Sequence, residues 1–96
     1  MKPSKALEAN RLAIRRIVAA HRASNARVFG SVANCCDSEN SDLDILVDTT
    51  NDTTLFDLGA IQFELKQLLG VPVDVRTPLD LPASFRTAVV TKAVPV

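Results

Sequence analysis

The sequence predicts a single α+β domain of two layers, in which a small mixed sheet of three to four strands is flanked by helices. Three observations support this fold class. Amphipathic helical periodicity alternates with short apolar, β-branched runs in the order helix, strand, strand, helix, strand, helix. The chain has 96 residues, the size of one domain, and 47% of them are apolar, which supplies a modest core. No repeat, low-complexity tract or linker divides residues 1–96.

The first predicted helix covers residues 4–22, with Ser4 as its N-cap and Asn25 in the turn that ends the segment. One face of this helix carries Leu7, Ile14, Ile17, Val18 and His21. A short strand at residues 26–30 and a brief helical turn at residues 31–36 follow. The sequence therefore predicts that the chain passes from an amphipathic helix into a short strand that runs into a turn.

The second predicted helix, from about Leu55 to Leu69, has the clearest boundaries in the sequence. Thr54 and Asp57 have the spacing of a capping box, with Asp in place of the usual Glu. Gly70 is a natural C-terminal stop. Around this helix, we predict strands at residues 42–48 and 71–76 and a last short helix at about Ser84–Val90, capped by Asp80 or Ser84.

The candidate site starts from two carboxylates, Asp42 and Asp44, which lie two residues apart in the second strand. Alternate side chains of a strand share a face, so both project the same way, opposite the apolar Leu43, Ile45 and Val47. Carboxylates held together repel each other unless a cation lies between them, and Mg²⁺ prefers such oxygen ligands. The pair therefore predicts a magnesium site.

The third predicted strand carries Asp74 between two valines. An unpaired carboxylate in such an apolar run is costly to bury, so something must compensate it. If the second and third strands are neighbours, Asp74 lies beside Asp42 and Asp44, and three carboxylates would hold one or two divalent ions. Two such ions stabilise the attacking and leaving oxygens of an in-line displacement, and Asp74 could also act as the base for an acceptor hydroxyl.

Gly30 and Ser31 end the first predicted strand, ahead of the carboxylate pair. A residue without Cβ lets the backbone approach a phosphate, and groups that open a helical turn donate to phosphate oxygens. A Gly-Ser pair alone is common in turns. Together with Asp-x-Asp and an aspartate in a later strand, it predicts a metal-dependent enzyme that handles nucleotides, or a relic of one.

This combination resembles the minimal nucleotidyltransferases of the DNA polymerase β-like superfamily. Their pattern is Gly-Ser, about ten residues, Asp-x-Asp and a third carboxylate on a following strand. The tail Lys92–Val96 is also similar to the usual ending of the family. The resemblance extends from about residue 8 onward and implies the nucleotidyltransferase fold. It further implies Gly30 and Ser31 as nucleotide-phosphate contacts, and Asp42, Asp44 and Asp74 as metal ligands and catalytic residues.

The resemblance also implies an activity and a partner. Many minimal members resemble antitoxins encoded beside a small helical HEPN ribonuclease, and members transfer AMP from ATP to a tyrosine of that toxin. We therefore expect Mg²⁺-dependent AMPylation of a HEPN-type toxin, with ATP as the substrate. The chain lacks a further domain for tRNA, an antibiotic or a primer, so we expect a protein partner to supply the acceptor.

Two alternatives stay open. Residues 32–36 read Val-Ala-Asn-Cys-Cys, where minimal members commonly carry Ala-Arg-Gly, and this difference motivates a catalytically silent antitoxin that acts by binding. Residues 1–27 hold seven Lys or Arg and one Glu, whereas residues 28–80 hold ten Asp or Glu and two Lys or Arg. The basic segment motivates a nucleotidyltransferase that acts on RNA, although aromatic residues for base stacking amount to only 4%.

We expect a cytoplasmic protein that does not interact with membranes. No apolar run approaches the length of a membrane span, and the N-terminus has no apolar signal core. The two cysteines, Cys35 and Cys36, are adjacent and are poor partners for each other, so we predict two reduced thiols in a loop.

Overall fold

The computed structural model describes Met1–Val96 and contains one four-stranded mixed sheet. Its strands are β1 (Ala23–Phe29), β2 (Leu43–Thr49), β3 (Val73–Arg76) and β4 (Val94–Pro95). They are arranged in the order β3-β2-β1-β4, with β1 antiparallel to both β2 and β4, and with β2 parallel to β3. The predicted α+β class and mixed sheet are confirmed.

Four α-helices and one short 3₁₀ helix surround the sheet. The α-helices are α1 (Pro3–Ala9), α2 (Arg11–Ala20), α3 (Leu55–Leu69) and α4 (Ala83–Lys92), and the 3₁₀ helix is Pro78–Asp80. None of these helices combines the length and the apolarity that crossing a membrane requires.

The prediction of one helix over residues 4–22 is wrong, because the helix is interrupted at Asn10. Its backbone has φ −134°, outside the helical range. The side-chain Nδ2 of Asn10 donates to the carbonyl of Ala6 at 2.9 Å, and its backbone N–H bonds to the carbonyl of Leu7 at 3.1 Å. In a continuous helix the N–H of Asn10 would bond to Ala6, so the side chain has replaced that bond and ended α1.

The first strand begins earlier than predicted. Arg22, with φ 63°, makes the turn after α2, so that β1 already starts at Ala23. Asn25, expected in the turn, lies inside β1 with φ 52°, where the pairing of β1 with β2 is irregular between Ser24 and Arg27. An extra residue in one strand produces such a bulge, and asparagine tolerates the left-handed conformation.

The predicted boundaries of α3 are confirmed. The hydroxyl of Thr54 accepts a hydrogen bond from the backbone N–H of Asp57 at 3.1 Å, and the carboxylate of Asp57 accepts one from the N–H of Thr54 at 2.9 Å. Gly70 ends the helix in the left-handed conformation, with φ 67°. A capping box at one end and a glycine at the other are local signals, which is why the sequence alone places this helix.

The predicted caps of the first and last helices are wrong. Helix α1 begins at Pro3, and the N–H of Ser4 donates instead to the carboxylate of Asp37 at 3.0 Å. Helix α4 begins after Pro82, and neither Asp80 nor Ser84 caps it. Asp80 accepts a hydrogen bond from the N–H of Thr77 and so caps the 3₁₀ helix that precedes α4.

The main core lies on one face of the sheet. Leu43, Ile45 and Val47 of β2 are fully buried there in one cluster with residues of α2 and α3, among them Ile14, Val18, Ile61 and Leu65. The opposite face of β2 carries Asp44, Leu46 and Asp48. The 3₁₀ helix contacts β2, and Leu46 is fully buried, whereas α4 buries none of its own residues. One face of the sheet thus forms the core, and the other presents carboxylates.

Candidate active site

The parallel pairing of β2 with β3 brings Asp44 and Asp74 side by side. Their Cα atoms are register partners, and paired residues of a sheet place their side chains on the same face. Asp42 lies immediately before β2, two residues from Asp44, and is exposed. The condition set by the sequence, that the second and third strands be neighbours, is therefore met.

The electrostatic environment of Asp44 shows that the three carboxylates act on one another. Burial removes water from the half-buried carboxyl and raises the pKa of Asp44 above its ordinary value. The negative charges of Asp74 and Asp42 raise this pKa further, while Arg76 partly opposes them. A positive charge added beside Asp44 would therefore stabilise its ionised form.

Arg76 also lies in the site, although the sequence alone did not establish a role for it. Its Nε donates to Oδ2 of Asp74 at 3.0 Å, with 45% of the Arg76 side chain and 40% of the Asp74 side chain exposed. The two residues are two positions apart in β3, a separation that places both side chains on one face. That spacing was the only signal in the sequence for the contact.

The donor set fits a hard divalent cation, although no three acidic, His or Cys side chains converge closely enough to enclose one. Mg²⁺ usually binds one or two protein carboxylates and completes its shell with water and substrate phosphates, so it does not need a closed protein cage. Burial, together with the negative charges of Asp74 and Asp42, raises the pKa of Asp44, so a cation bound beside it would favour its ionised form. The register pair Asp44 and Asp74, with the exposed Asp42 two residues from Asp44, could provide one or two such ligands.

Gly30 lies against the carboxylate of Asp44. A Cβ added to Gly30 would lie 2.5 Å from Oδ2 of Asp44, and Gly30 has φ 73°, a conformation that favours glycine. The half-buried Ser31 follows and opens a turn in which the carbonyl of Gly30 accepts from the N–H of Asn34 at 3.1 Å. The fold thus brings the Gly-Ser turn and the Asp-x-Asp pair together.

A cleft of about 240 Å³ lies between this turn and α4. The turn contributes Gly30, Ala33 and Asn34, and α4 contributes Ala88, Val89 and Lys92, with Phe29 of β1 between them. Phe29 is the register partner of Asp44, so the cleft opens on the face of the sheet that carries the carboxylates. The lining residues are about sixty positions apart in sequence, and for that reason the sequence did not predict the cleft.

Asp48, which shares the face of Asp44, is engaged elsewhere. Its Oδ1 accepts hydrogen bonds from Nη1 and Nη2 of Arg27 at 3.2 and 3.0 Å, and its Oδ2 accepts one from Asn25 at 2.9 Å. Arg27 is the one buried charged residue, and its Nε has no hydrogen-bond partner. Asp48 therefore balances a buried guanidinium at the far end of β2.

The nucleotidyltransferase domain family matches residues 13–96 of the chain. The chain belongs to this family. Among curated relatives of this nucleotidyltransferase domain is a Methanocaldococcus jannaschii protein named “Putative protein adenylyltransferase MJ0435”. The two are 35% identical over 80 residues, which cover 83% of this chain and 86% of the archaeal protein.

Solved structures share the fold of this nucleotidyltransferase domain. A structure described as a “putative minimal nucleotidyltransferase” is 39% identical, with a TM-score of 0.87, and the match covers 97% of this chain and 95% of that one. A toxin–antitoxin structure with AMP-PNP matches with a TM-score of 0.70 at 17% identity, over 97% of this chain and 71% of that one. A mutant of the toxin–antitoxin MntA–HpeT matches with a TM-score of 0.72 at 18% identity, over 90% and 70%. The last two likenesses concern the fold alone.

Proposed function

We propose that this nucleotidyltransferase domain transfers AMP from ATP to a hydroxyl group of a partner protein, with Mg²⁺ bound by its carboxylates. The observation that carries the proposal is the pairing of Asp44 with Asp74 across β2 and β3, with Gly30 packed against Asp44. The name of the archaeal relative, “Putative protein adenylyltransferase MJ0435”, supports a protein as the acceptor.

Each site residue has a role in this reaction. The acceptor oxygen attacks the α-phosphorus of ATP, the bond from that phosphorus to the bridging oxygen breaks, and pyrophosphate leaves. Asp42, Asp44 and Asp74 would hold one or two Mg²⁺ ions, which would neutralise charge on the phosphates. In this proposal Gly30 and Ser31 contact the phosphates. Asp74, whose carboxylate accepts a hydrogen bond from Arg76, would accept the proton of the acceptor hydroxyl.

We propose a HEPN-type toxin as the partner, which makes this chain the antitoxin. Two toxin–antitoxin structures contain the same fold, which supports the assignment without identifying the partner. Helix α3 also leaves large apolar side chains in water, with Phe56 exposed by 90%, Leu55 by 85% and Phe63 by 63%. Exposed apolar surface of this kind suits contact with another protein.

The test is transfer of label from α-labelled ATP to a HEPN-type ribonuclease in the presence of Mg²⁺. We expect the wild-type chain to label the ribonuclease, and Asp42→Asn with Asp44→Asn to abolish labelling. The matched control is Glu39→Gln with Asp52→Asn, which removes two exposed carboxylates away from the site. Labelling that persists in the Asp42/Asp44 variant would refute the assigned ligands.

The catalytically silent antitoxin is the second candidate, and the turn after Gly30 favours it. Residues 32–36 supply no arginine, and Asn34, Cys35 and Cys36 are exposed there. A silent antitoxin predicts that the Asp42/Asp44 double variant still neutralises its toxin, whereas an enzyme predicts that neutralisation is lost while folding is kept. Growth of cells that express the toxin with each variant separates the two.

The RNA-directed alternative is less well supported, because the basic segment makes internal contacts. Arg11 pairs with Glu8 and donates to the carbonyl of Pro95, and Arg15 donates to the carbonyl of Val96. An RNA-binding role predicts salt-sensitive binding that is weakened by changing Arg11, Arg15 and Arg16 together. No measurable RNA binding at low salt would end this alternative.

A further inference from the structure

Lys92 is the one charged side chain of the cleft between the turn and α4. Asn34 is the only other lining residue with a polar side chain, since the remainder are Phe29, Gly30, Ala33, Ala88 and Val89. Lys92 is the last residue of α4, is exposed, and takes part in none of the ion pairs of the chain. Its ammonium group is therefore free to bind an anion that enters the cleft.

Gly30 joins this cleft to the carboxylates. It lines the cleft on one side and lies against Oδ2 of Asp44 on the other. If the reacting phosphate of a nucleotide lies at Asp44, the adjoining part of that nucleotide therefore extends past Gly30 and enters the cleft. The volume of about 240 Å³ is below the ~300–1,000 Å³ of sites that enclose whole ligands, so the cleft accommodates only part of a nucleotide.

The positions of the arginine and lysine side chains indicate which part of the nucleotide enters the cleft. A triphosphate beside three carboxylates carries negative charge that the proposed Mg²⁺ ions offset only in part, so further positive charge is needed. Arg76 is held by Asp74, and the guanidinium of Arg86 donates to the carbonyls of Pro78 and Leu81 at 2.7 and 2.9 Å. Lys92 remains, and an ammonium group suits a phosphate as a compact point charge.

We propose that Lys92 binds the terminal phosphates of the nucleoside triphosphate in the cleft between the Gly30–Asn34 turn and α4. The proposal rests on the proposed function, since it takes a nucleoside triphosphate as the substrate. It makes α4 part of the substrate site, with the β- and γ-phosphates between the turn and the last turn of this helix. Asn34 is the second polar group available to those phosphates.

The test compares Lys92→Met with Lys66→Met. Both lysines are exposed and lie in the last turn of a helix, so the loss of a favourable helix-end charge is matched in the two variants. Binding of ATP, AMP and inorganic triphosphate is measured by calorimetry with MgCl₂. We expect Lys92→Met to weaken ATP and inorganic triphosphate by roughly ten- to a hundredfold and to leave AMP unchanged. Lys66→Met should change none of them, and Lys92→Arg should retain most of the affinity.

The outcomes separate this proposal from the proposed function. If the wild-type chain binds ATP with Mg²⁺ and Lys92→Met binds ATP and inorganic triphosphate as tightly, the role of Lys92 is wrong and the proposed function stands. An equal loss of affinity for ATP and AMP would also overturn the proposed role of Lys92, because the cleft would then hold the nucleoside. A wild-type chain that binds no ATP with Mg²⁺ would refute both. Thermal unfolding of each variant checks that binding is compared between folded proteins.

Discussion

Gly30 faces the carboxylate of Asp44 so closely that a Cβ at position 30 would lie 2.5 Å from Oδ2 and 3.4 Å from Cγ. Real Cβ atoms essentially never approach another atom to 2.5 Å, so the carboxylate would have to move. The backbone of Gly30 is also in the left-handed region, with φ 73°. Both the conformation of the turn and the position of the carboxylate therefore require glycine here.

Gly30→Ala should impair both the folding of the protein and the proposed transfer of AMP. The strained backbone and the displaced Asp44 carboxylate should lower the free energy of unfolding by about 1–3 kcal/mol, measured by urea denaturation. Gly59→Ala is the control, because Gly59 is exposed within α3 and a Cβ there meets nothing within 4 Å. That change should raise the free energy of unfolding by roughly 0.5–1 kcal/mol. A Gly30→Ala protein as stable and active as wild type would contradict the close contact.

Asp44→Asn should change how stability depends on pH when divalent cations are removed with a chelator. Because the pKa of Asp44 is raised by burial, Asp74 and Asp42, the folded chain holds this proton more tightly than the unfolded chain. The contribution of Asp44 to stability is therefore full below the ordinary pKa and is lost as pH rises through the raised pKa. Near neutral pH, the midpoint of unfolding of the variant should therefore lie above that of the wild type. This difference should disappear in acid. A difference independent of pH would show that ionisation of Asp44 is not responsible.

Arg76→Gln should make the protein respond more strongly to Mg²⁺. Without metal, loss of the half-exposed pair with Asp74 should lower the free energy of unfolding by less than about 1 kcal/mol. With metal, the freed carboxylate should bind Mg²⁺ more tightly, so the rise in unfolding temperature on adding MgCl₂ should exceed that of wild type. Arg16→Gln, which changes an exposed arginine of α2, should leave that rise unaltered. Equal rises in wild type and the Arg76 variant would argue against competition between arginine and metal.

Asp48→Ala should destabilise the fold without altering the candidate site. It leaves the buried guanidinium of Arg27 without its carboxylate partner, and with 44% of the Asp48 side chain exposed we expect a loss of about 1–3 kcal/mol. Asp52→Ala, in the loop after β2, should change stability by less than about 0.5 kcal/mol. Replacing Arg27 by Met in the Asp48 variant should recover part of the loss. No recovery would indicate that the carboxylate acts through Asn25 instead.

Local signals in the sequence were enough for some elements and not for others. Helix α3 was placed from its capping box and Gly70, both of which act within one turn of the chain. The break at Asn10 was not predicted because apolar periodicity continues through it, while the competing bond from its side chain to Ala6 is invisible in the pattern. Strand β4 has two residues and exists through its pairing with β1, so nothing local marks it.

The candidate site divides in the same way. The shared face of Asp42 and Asp44 follows from alternation along one strand, and their proximity to Asp74 needed only that β2 and β3 be neighbours. The contact of Gly30 with Asp44, and the approach of Lys92 to the turn, depend on how separate elements pack. Such contacts are set by tertiary structure, and composition or spacing does not encode them.

The attachment of α4 has an evolutionary consequence. Arg86 donates hydrogen bonds to the backbone carbonyls of Pro78 and Leu81, which are present whatever amino acid occupies those positions. No side chain of α4 is fully buried. Mutations at the exposed positions of the helix therefore cost the folded protein little. Because the exposed Ala88 lines the cleft beside Lys92, natural variation at position 88 can remodel the cleft wall while leaving the rest of the domain intact.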